Sequence, residues 1–215
     1  MIADDASVML GPMTAYRRLA GPTEGERWSA TASAERHSTT SGAAIALRRP
    51  LFAVFLLGCG ISLIVSGRLT LRLIAGGAVA GSFLPMLEVA SFAAVHRVAR
   101  ARSAFARDVD LFFAGRGPWT AWLLAAATIA AFATPFQVDD WTATPAGLNW
   151  IAASMAAIAI WSGYIDFCFF RVVFNRPPGA AIRALLLQRA LCWIAAATYF
   201  VSFAAWPLIV EAWRR

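Results

Sequence analysis

Lysine is absent from this 215-residue chain, so all nineteen of its basic residues are arginine. Histidine occurs only at positions 37 and 96, and cysteine only at 59, 168 and 192. Charge is sparse, at 14% of residues against 60% hydrophobic, and the mean hydropathy is +0.62. Each scarcity excludes something. His37 and His96 lie outside every long apolar run, so they cannot form the facing axial pair that holds haem between helices. There is no His-Glu-x-x-His, no His/Cys cluster at zinc spacing and no Gly-rich phosphate loop. No serine or threonine sits in a nucleophile elbow. Cys59, Cys168 and Cys192 each fall within an apolar run and form no Cys-x-x-Cys. They read as small apolar residues rather than a disulfide or metal framework. The expectation is therefore no catalytic residue, no metal, no cofactor and no enzyme activity.

What is present is apolar length. Five stretches read as membrane spans: Leu51–Gly67, Leu73–Val95, Trp119–Phe136, Asn149–Phe170 and Ala190–Val210. A spanning helix needs about 20 mostly apolar residues. The fold class is all-α, an integral membrane bundle of five transmembrane helices with short amphipathic surface helices. Residues 1–47 read as an N-terminal arm and linker, and 48–215 as the five-span domain. Met1–Ala20 carries Asp4 and Asp5 and lacks the continuous apolar core of a signal peptide.

The arginines orient the chain. With the N-terminus inside, the arm, the 96–118 loop and the 171–189 connection hold six, five and four Arg, fifteen together. The 68–72 turn, the 137–148 loop and the C-terminal tail hold two, none and two, four together. Positive residues collect on the cytoplasmic side, so the N-terminus is expected inside and the C-terminus outside. The net charge of +7 then serves orientation and anionic headgroups on the inner side, not nucleic acid. An Arg-only, Ala-rich composition suits a GC-rich bacterial genome and hence a bacterial inner membrane.

Along the arm, residues 1–6 read as disordered. Pro12–Ala20 reads as a helix lying on the inner membrane surface, and 21–47 as a Gly/Ser/Thr-rich flexible tether. His96–Phe113 reads as a second surface helix, ended by Gly115, Gly117 and Pro118. Its Asp108 and Asp110 lack the further acids of a Mg²⁺ site and read as a solvated face. Asn175–Gly179 breaks the chain, and the last helix starts below the membrane with Arg183 and Arg189 reaching the headgroups. Gly77 and Gly81, four apart, suit close helix packing. Pro85 removes one helical hydrogen bond and would kink the second span.

Two acids fall within spans, Glu88 and Asp166. An intramembrane acid is costly and marks a candidate site. Glu88 shares a face with Gly81, Pro85 and Ser91, and Asp166 with Ser162 and Gly163, so both faces point into the bundle. One reading is a proton- or cation-handling site between spans two and four. The other is structural pairing with Arg171, Arg189 or a hydroxyl.

The segment Gly11-Pro12-Met13-Thr14-Ala15-Tyr16-Arg17-Arg18-Leu19, followed by five spans ending outside, resembles the layout of the Yip family of five-span membrane proteins. The Asp-Leu-Tyr-Gly-Pro motif of eukaryotic members is absent, so their Rab-binding role does not transfer. The resemblance implies a non-enzymatic membrane protein acting through protein partners in a structural, assembly or trafficking-type role. Two alternatives stay open: an accessory subunit of a larger membrane complex, which the Gly/Ala-rich faces suit, and a small ion-coupled transporter using Glu88 and Asp166. Other membrane proteins, or further copies of the chain, are the expected protein partners.

Overall fold

The computed structural model of the chain describes residues 2–20, 39–99, 103–133 and 144–214. Among these residues every regular element is a helix: α1 (Ile2–Leu10), α2 (Pro12–Leu19), α3 (Thr39–Ser66), α4 (Leu71–Gly81), α5 (Phe83–Val98), α6 (Phe105–Ala114), α7 (Gly117–Phe132), α8 (Pro145–Val172) and α9 (Pro178–Arg214). Four stretches of the described residues are long and apolar enough to cross a bilayer: Ala44–Ser66, Leu71–Val98, Pro145–Val172 and Pro178–Ser202. The described α7 is apolar but has 16 residues, about 24 Å of helix against a hydrocarbon core of about 30 Å. The expected third span ends at Phe136, and residues 134–143 lie outside the described residues. So do residues 21–38 of the expected tether.

The α3–α4 hairpin shows why glycines recur in the first two spans. A Cβ on Gly77 would stand 2.9 Å from Ile61 Cβ and 3.3 Å from Gly58 Cα, and one on Gly81 would stand 3.4 Å from Leu57 Cβ. At Gly77 only a residue without a side chain lets the two backbones come this close, while at Gly81 a Cβ would make ordinary contact. The connecting turn uses Gly67 at φ 63°, a left-handed conformation open to glycine. Ser62, fully buried, fastens it: its hydroxyl donates to the Arg68 carbonyl at 2.7 Å and accepts from the Thr70 amide at 3.1 Å.

The second membrane-length stretch is interrupted between α4 and α5. Pro85 has no N–H, so the Gly81 carbonyl loses its i+4 donor, and the helix breaks at Ser82 instead of running on. The Ser82 amide turns to Val79 O at 3.3 Å, and its hydroxyl reaches the same carbonyl at 2.8 Å. Pro85 thus places a break one turn ahead of itself, six residues before Glu88.

Core packing concentrates at one end of the bundle. Phe92 (α5) stacks on Phe112 (α6) at 4.7 Å, and Phe169 (α8) meets both edge-on at 5.7 and 5.5 Å. Val8, Tyr16, Phe170 and Phe174 complete this cluster. Along the spans, by contrast, large apolar side chains such as Leu51, Phe55, Val79, Ile160, Trp193 and Ile194 face outward, as a lipid solvent permits.

Several expectations give way here. Residues 2–10 are a helix rather than disordered, because α2 and the bundle supply the contacts that a nine-residue helix lacks alone. α2 packs one face on the bundle and leaves Thr14, Arg17 and Arg18 exposed on the other, and α6 is enclosed. Ala15 and Tyr16 of α2 are buried against the bundle. In α6 every residue from Asp108 to Ala114 is buried, so its apolar periodicity addresses protein on all sides. Asp108 and Asp110 are therefore not a solvated face.

Candidate functional site

Glu88 and Asp166 share one arginine. Asp166 lies one helical turn after Ser162 on α8, so both project from one face. Arg116, at the joint between α6 and α7, points into the bundle between them and α5. Its Nε is 2.9 Å from Glu88 Oε2, and its Nη1 is 3.2 Å from Asp166 Oδ2 and 3.3 Å from Ser162 Oγ. Arg189 of α9 approaches from the other side, with Nη2 at 2.5 Å from the same Asp166 oxygen and 2.9 Å from Ser162 Oγ. Beneath Arg116 the Phe112 ring lies with its centroid 4.3 Å from the guanidinium carbon, a cation–π contact. One residue from Arg189, the Gln188 amide donates to Ser91 Oγ at 3.2 Å. Two carboxylates and two guanidiniums make the cluster neutral, which is how charge is tolerated at membrane depth.

Asp166 is 1% exposed and Arg116 5%, while the Glu88 and Arg189 side chains keep 22% and 27%. Four buried polar atoms of the cluster, Asp166 Oδ1, Arg116 Nε and Nη2 and Gln188 Oε1, have no hydrogen-bond partner among the described residues, Arg116 Nε meeting Glu88 as an ion pair only. Arg189, expected to reach the headgroups, instead turns inward because Asp166 offers a stronger partner. Arg171 stands apart from the two acids and donates to the Arg176 carbonyl at 2.8 Å.

A second network clamps the same end of the bundle. Arg48 grips Asp110 in fork fashion, Nε to Oδ1 at 3.2 Å and Nη2 to Oδ2 at 2.7 Å. Arg49, 5% exposed, also pairs with Asp110 and places Nε and Nη2 each 2.9 Å from Asp5 Oδ1 of α1. Burial pushes the Asp5 carboxyl above its ordinary range, with the Arg49 charge opposing. In a third group, His96 Nε2 lies 3.1 Å from Asp108 Oδ2, which also accepts from the Ser103 hydroxyl. Asp108 is fully buried, and that burial raises its carboxyl above the usual range, with Ser103 and His96 opposing. The carboxylate, not the histidine, is central here: Ser103 and His96 both meet Asp108 Oδ2, which departs from the serine–histidine–acid order of a nucleophile-activating array. Among the described residues no three His, Cys, Asp or Glu side chains gather as metal ligands.

Sequence reasoning missed Arg116, reading it as one more orienting charge. Its signal is the pair of flanking glycines. A Cβ on Gly115 would stand 2.7 Å from Ile165 Cγ2 and 2.9 Å from Tyr16 Oη, and one on Gly117 would collide with Met9. Gly-Arg-Gly thus marks a backbone wedged into protein with its one side chain aimed inward. Comparison with family models, with curated proteins and with solved structures returns no match.

Proposed function

We propose that this chain is a non-enzymatic multipass protein of a bacterial inner membrane that works through contacts with other membrane proteins or with further copies of itself. The carrying observation is the last membrane-length helix. In the apolar window of Pro178–Ser202 only 6% is buried within the chain, against 33% in Ala44–Ser66. Trp193, Ile194, Phe200 and Val201 all face outward from it. One side of it holds to the bundle: Ala181, Ala184 and Leu185 pack on the core, Arg189 pairs with Asp166, Gln188 donates to Ser91, and Tyr199 stacks on Phe83 at 4.7 Å. A helix anchored along one side, with such large apolar side chains exposed on the other, is free to take a partner helix. The layout resemblance to the Yip family points the same way.

Five spans, a cytoplasmic N-terminus and an external C-terminus belong to this proposal, on the fifteen-to-four division of arginine. Anionic headgroups suit the inner end, where Arg17, Arg18, Arg97 and Arg183 are exposed and attract such lipid by about 1 kcal/mol each. The test is a photo-crosslinking residue at Trp193, in native membranes, compared with one at Phe55 on α3. A discrete protein adduct at 193, whether a second copy or another chain, supports the reading. Lipid adducts alone at both positions reject it.

A second reading, the small ion-coupled transporter, is favoured by the buried unpartnered Asp166 Oδ1 and Arg116 Nη2. Flux into liposomes by the parent chain, lost in Glu88→Gln/Asp166→Asn with assembly unchanged, would replace the first reading by this one.

A further inference from the structure

We propose that the α1–α2 hairpin is a releasable plug. It closes the aqueous end of the bundle over the Glu88–Arg116–Asp166–Arg189 cluster and is held by the Asp5–Arg49 ion pair and the seating of Tyr16. This rests on the hairpin's own contacts and stands under either functional reading.

The seat lies directly on the cluster. Tyr16 and Met9 cover the two glycines that flank Arg116, close enough that a Cβ at either would collide with them. Tyr16 is fully buried, edge-on to Phe169 at 5.6 Å. Its hydroxyl reaches the Leu111 carbonyl only at 3.5 Å, a long hydrogen bond. The phenol is thus held by shape more than by polar contact. Val8, also fully buried, fills the space beside it.

Ala15, Met13 and Leu19 pack with Tyr16 on the core, and side-chain hydrogen bonds add further ties. Trp161 Nε1 donates to the Met9 carbonyl at 3.2 Å, and Arg107 Nη2 to the Leu19 carbonyl at 2.8 Å. On release, the Met9 and Leu19 carbonyls leave with the hairpin and can turn to water. The Asp5–Arg49 ion pair is arranged so that its opening leaves no buried charge alone. Arg49 serves Asp5 and Asp110 together, and Asp110 is also held by Arg48. When α1 departs, Asp110 keeps both arginines and Asp5 returns to solvent. The usual penalty for splitting a buried pair comes from the partner left uncompensated, and here none is. The spans keep their own backbone ladders and the aromatic cluster of Phe92, Phe112 and Phe169. What changes is access: with Tyr16 withdrawn, water reaches Gly115–Arg116 and, behind them, Asp166.

Cys168 is a native reporter. It is fully buried, two residues after Asp166, within the same apolar cluster as Tyr16. The test uses the full chain in lipid nanodiscs with Cys59→Ala and Cys192→Ala, and measures the rate at which a membrane-impermeant maleimide labels Cys168. We expect slow labelling in this parent, at least a tenfold rise with Asp5→Asn and a larger rise with Tyr16→Ala. A Met9→Cys/Gly117→Cys disulfide should staple the plug, since the atoms that a Cβ at Gly117 would meet belong to Met9. The oxidised form should return the Asp5→Asn rate to the parent value, and reduction should restore it. Equal rates in parent and Asp5→Asn, or no slowing by the staple, overturn the proposal. So does a parallel rise at Cys59, in a sister chain carrying Cys59 as its single cysteine, because that signals general loosening rather than release of the hairpin.

Discussion

Arg189 Nη2 lies 2.5 Å from Asp166 Oδ2, and this contact joins α9 to α8 in a span of which only 6% is buried within the chain. Between lipid-facing helices there is no hydrophobic drive to associate, so a polar contact counts for more in fixing position. Arg116 supplies a second guanidinium to the same oxygen. The acid and the arginines are therefore unequal in consequence: losing one arginine leaves the carboxylate with the other, whereas losing the carboxylate leaves Arg189 with no acid and Arg116 with Glu88 alone.

The stability of the purified protein in mixed micelles should reflect that inequality. Asp166→Ala should lower it by about 3–5 kcal/mol, the cost of leaving buried charge uncompensated. Arg189→Ala should cost about 1.5–3 kcal/mol, the value of hydrogen bonds to a charged group. Asp166→Ala in the Arg189→Ala background should cost less than in the parent chain. Additive losses in that cycle would show that the two side chains are not coupled.

Adjacent glycines on α4 provide a sharper contrast. A Cβ added at Gly76 would meet nothing within 4 Å, while one at Gly77 would press on Ile61 and Gly58. Gly77→Ala should destabilise the α3–α4 hairpin by about 1–3 kcal/mol through overpacking. Gly76→Ala should be neutral or stabilising by up to about 1 kcal/mol, since glycine is the weaker helix former. Equal effects at the two positions, read by unfolding under the same conditions, would contradict the close approach of α3 and α4.

Asp108 should leave a mark on the acid side of the stability profile. Burial raises its carboxyl in the folded chain above the ordinary 3.8, so the folded state holds a proton that the unfolded state has already lost. Stability from this group is therefore fully present below 3.8 and is lost as pH rises through the raised folded value. Melting temperatures recorded across that window should fall less steeply with rising pH in Asp108→Asn than in the parent chain. An unchanged slope would mean that Asp108 does not titrate differently in the two states.

Much of this is legible in the letters. Apolar runs mark four membrane-length helices, Gly77 and Gly81 mark a close approach, and the rarity of intramembrane acids singles out Glu88 and Asp166. What stays hidden is what charge does at the bundle end. Periodicity in Phe105–Ala114 reads alike for a helix on lipid and for one enclosed by protein, because both present an apolar face at the same spacing. Arginine likewise reads alike whether it orients a span or neutralises an acid far along the chain. Arg49 and Asp110, or Arg116 and Asp166, become partners only through tertiary folding. Asp5 reads as part of a disordered end because nothing near it in sequence shows that Arg49 lies within reach.

Topology remains the most economical test of the five-span proposal, and α7 is its crux. Although short, α7 runs beside α3 in the same direction. A Cβ on Gly60 would lie 3.5 Å from Leu123 Cγ and 3.8 Å from Ala127 Cβ, and one on Gly67 would lie 3.6 Å from the Ala131 carbonyl. The end of α7 therefore draws level with the end of α3, a helix of membrane-spanning length. Its start is recessed, since Arg116 just before it already stands at the depth of Glu88 and Asp166, with α6 filling the bundle end below. A helix that begins inside the protein needs fewer residues to reach the far surface, which accounts for 16 residues where about 20 are usual. If α7 crosses, the chain makes five passages and its termini lie on opposite sides. Reporter fusions after Ala143 and at Arg215 should then both register outside, and a fusion at Arg176 should register inside. A cytoplasmic signal from Arg215 would make the number of passages even and reduce α7 to a helix that enters the bundle without crossing.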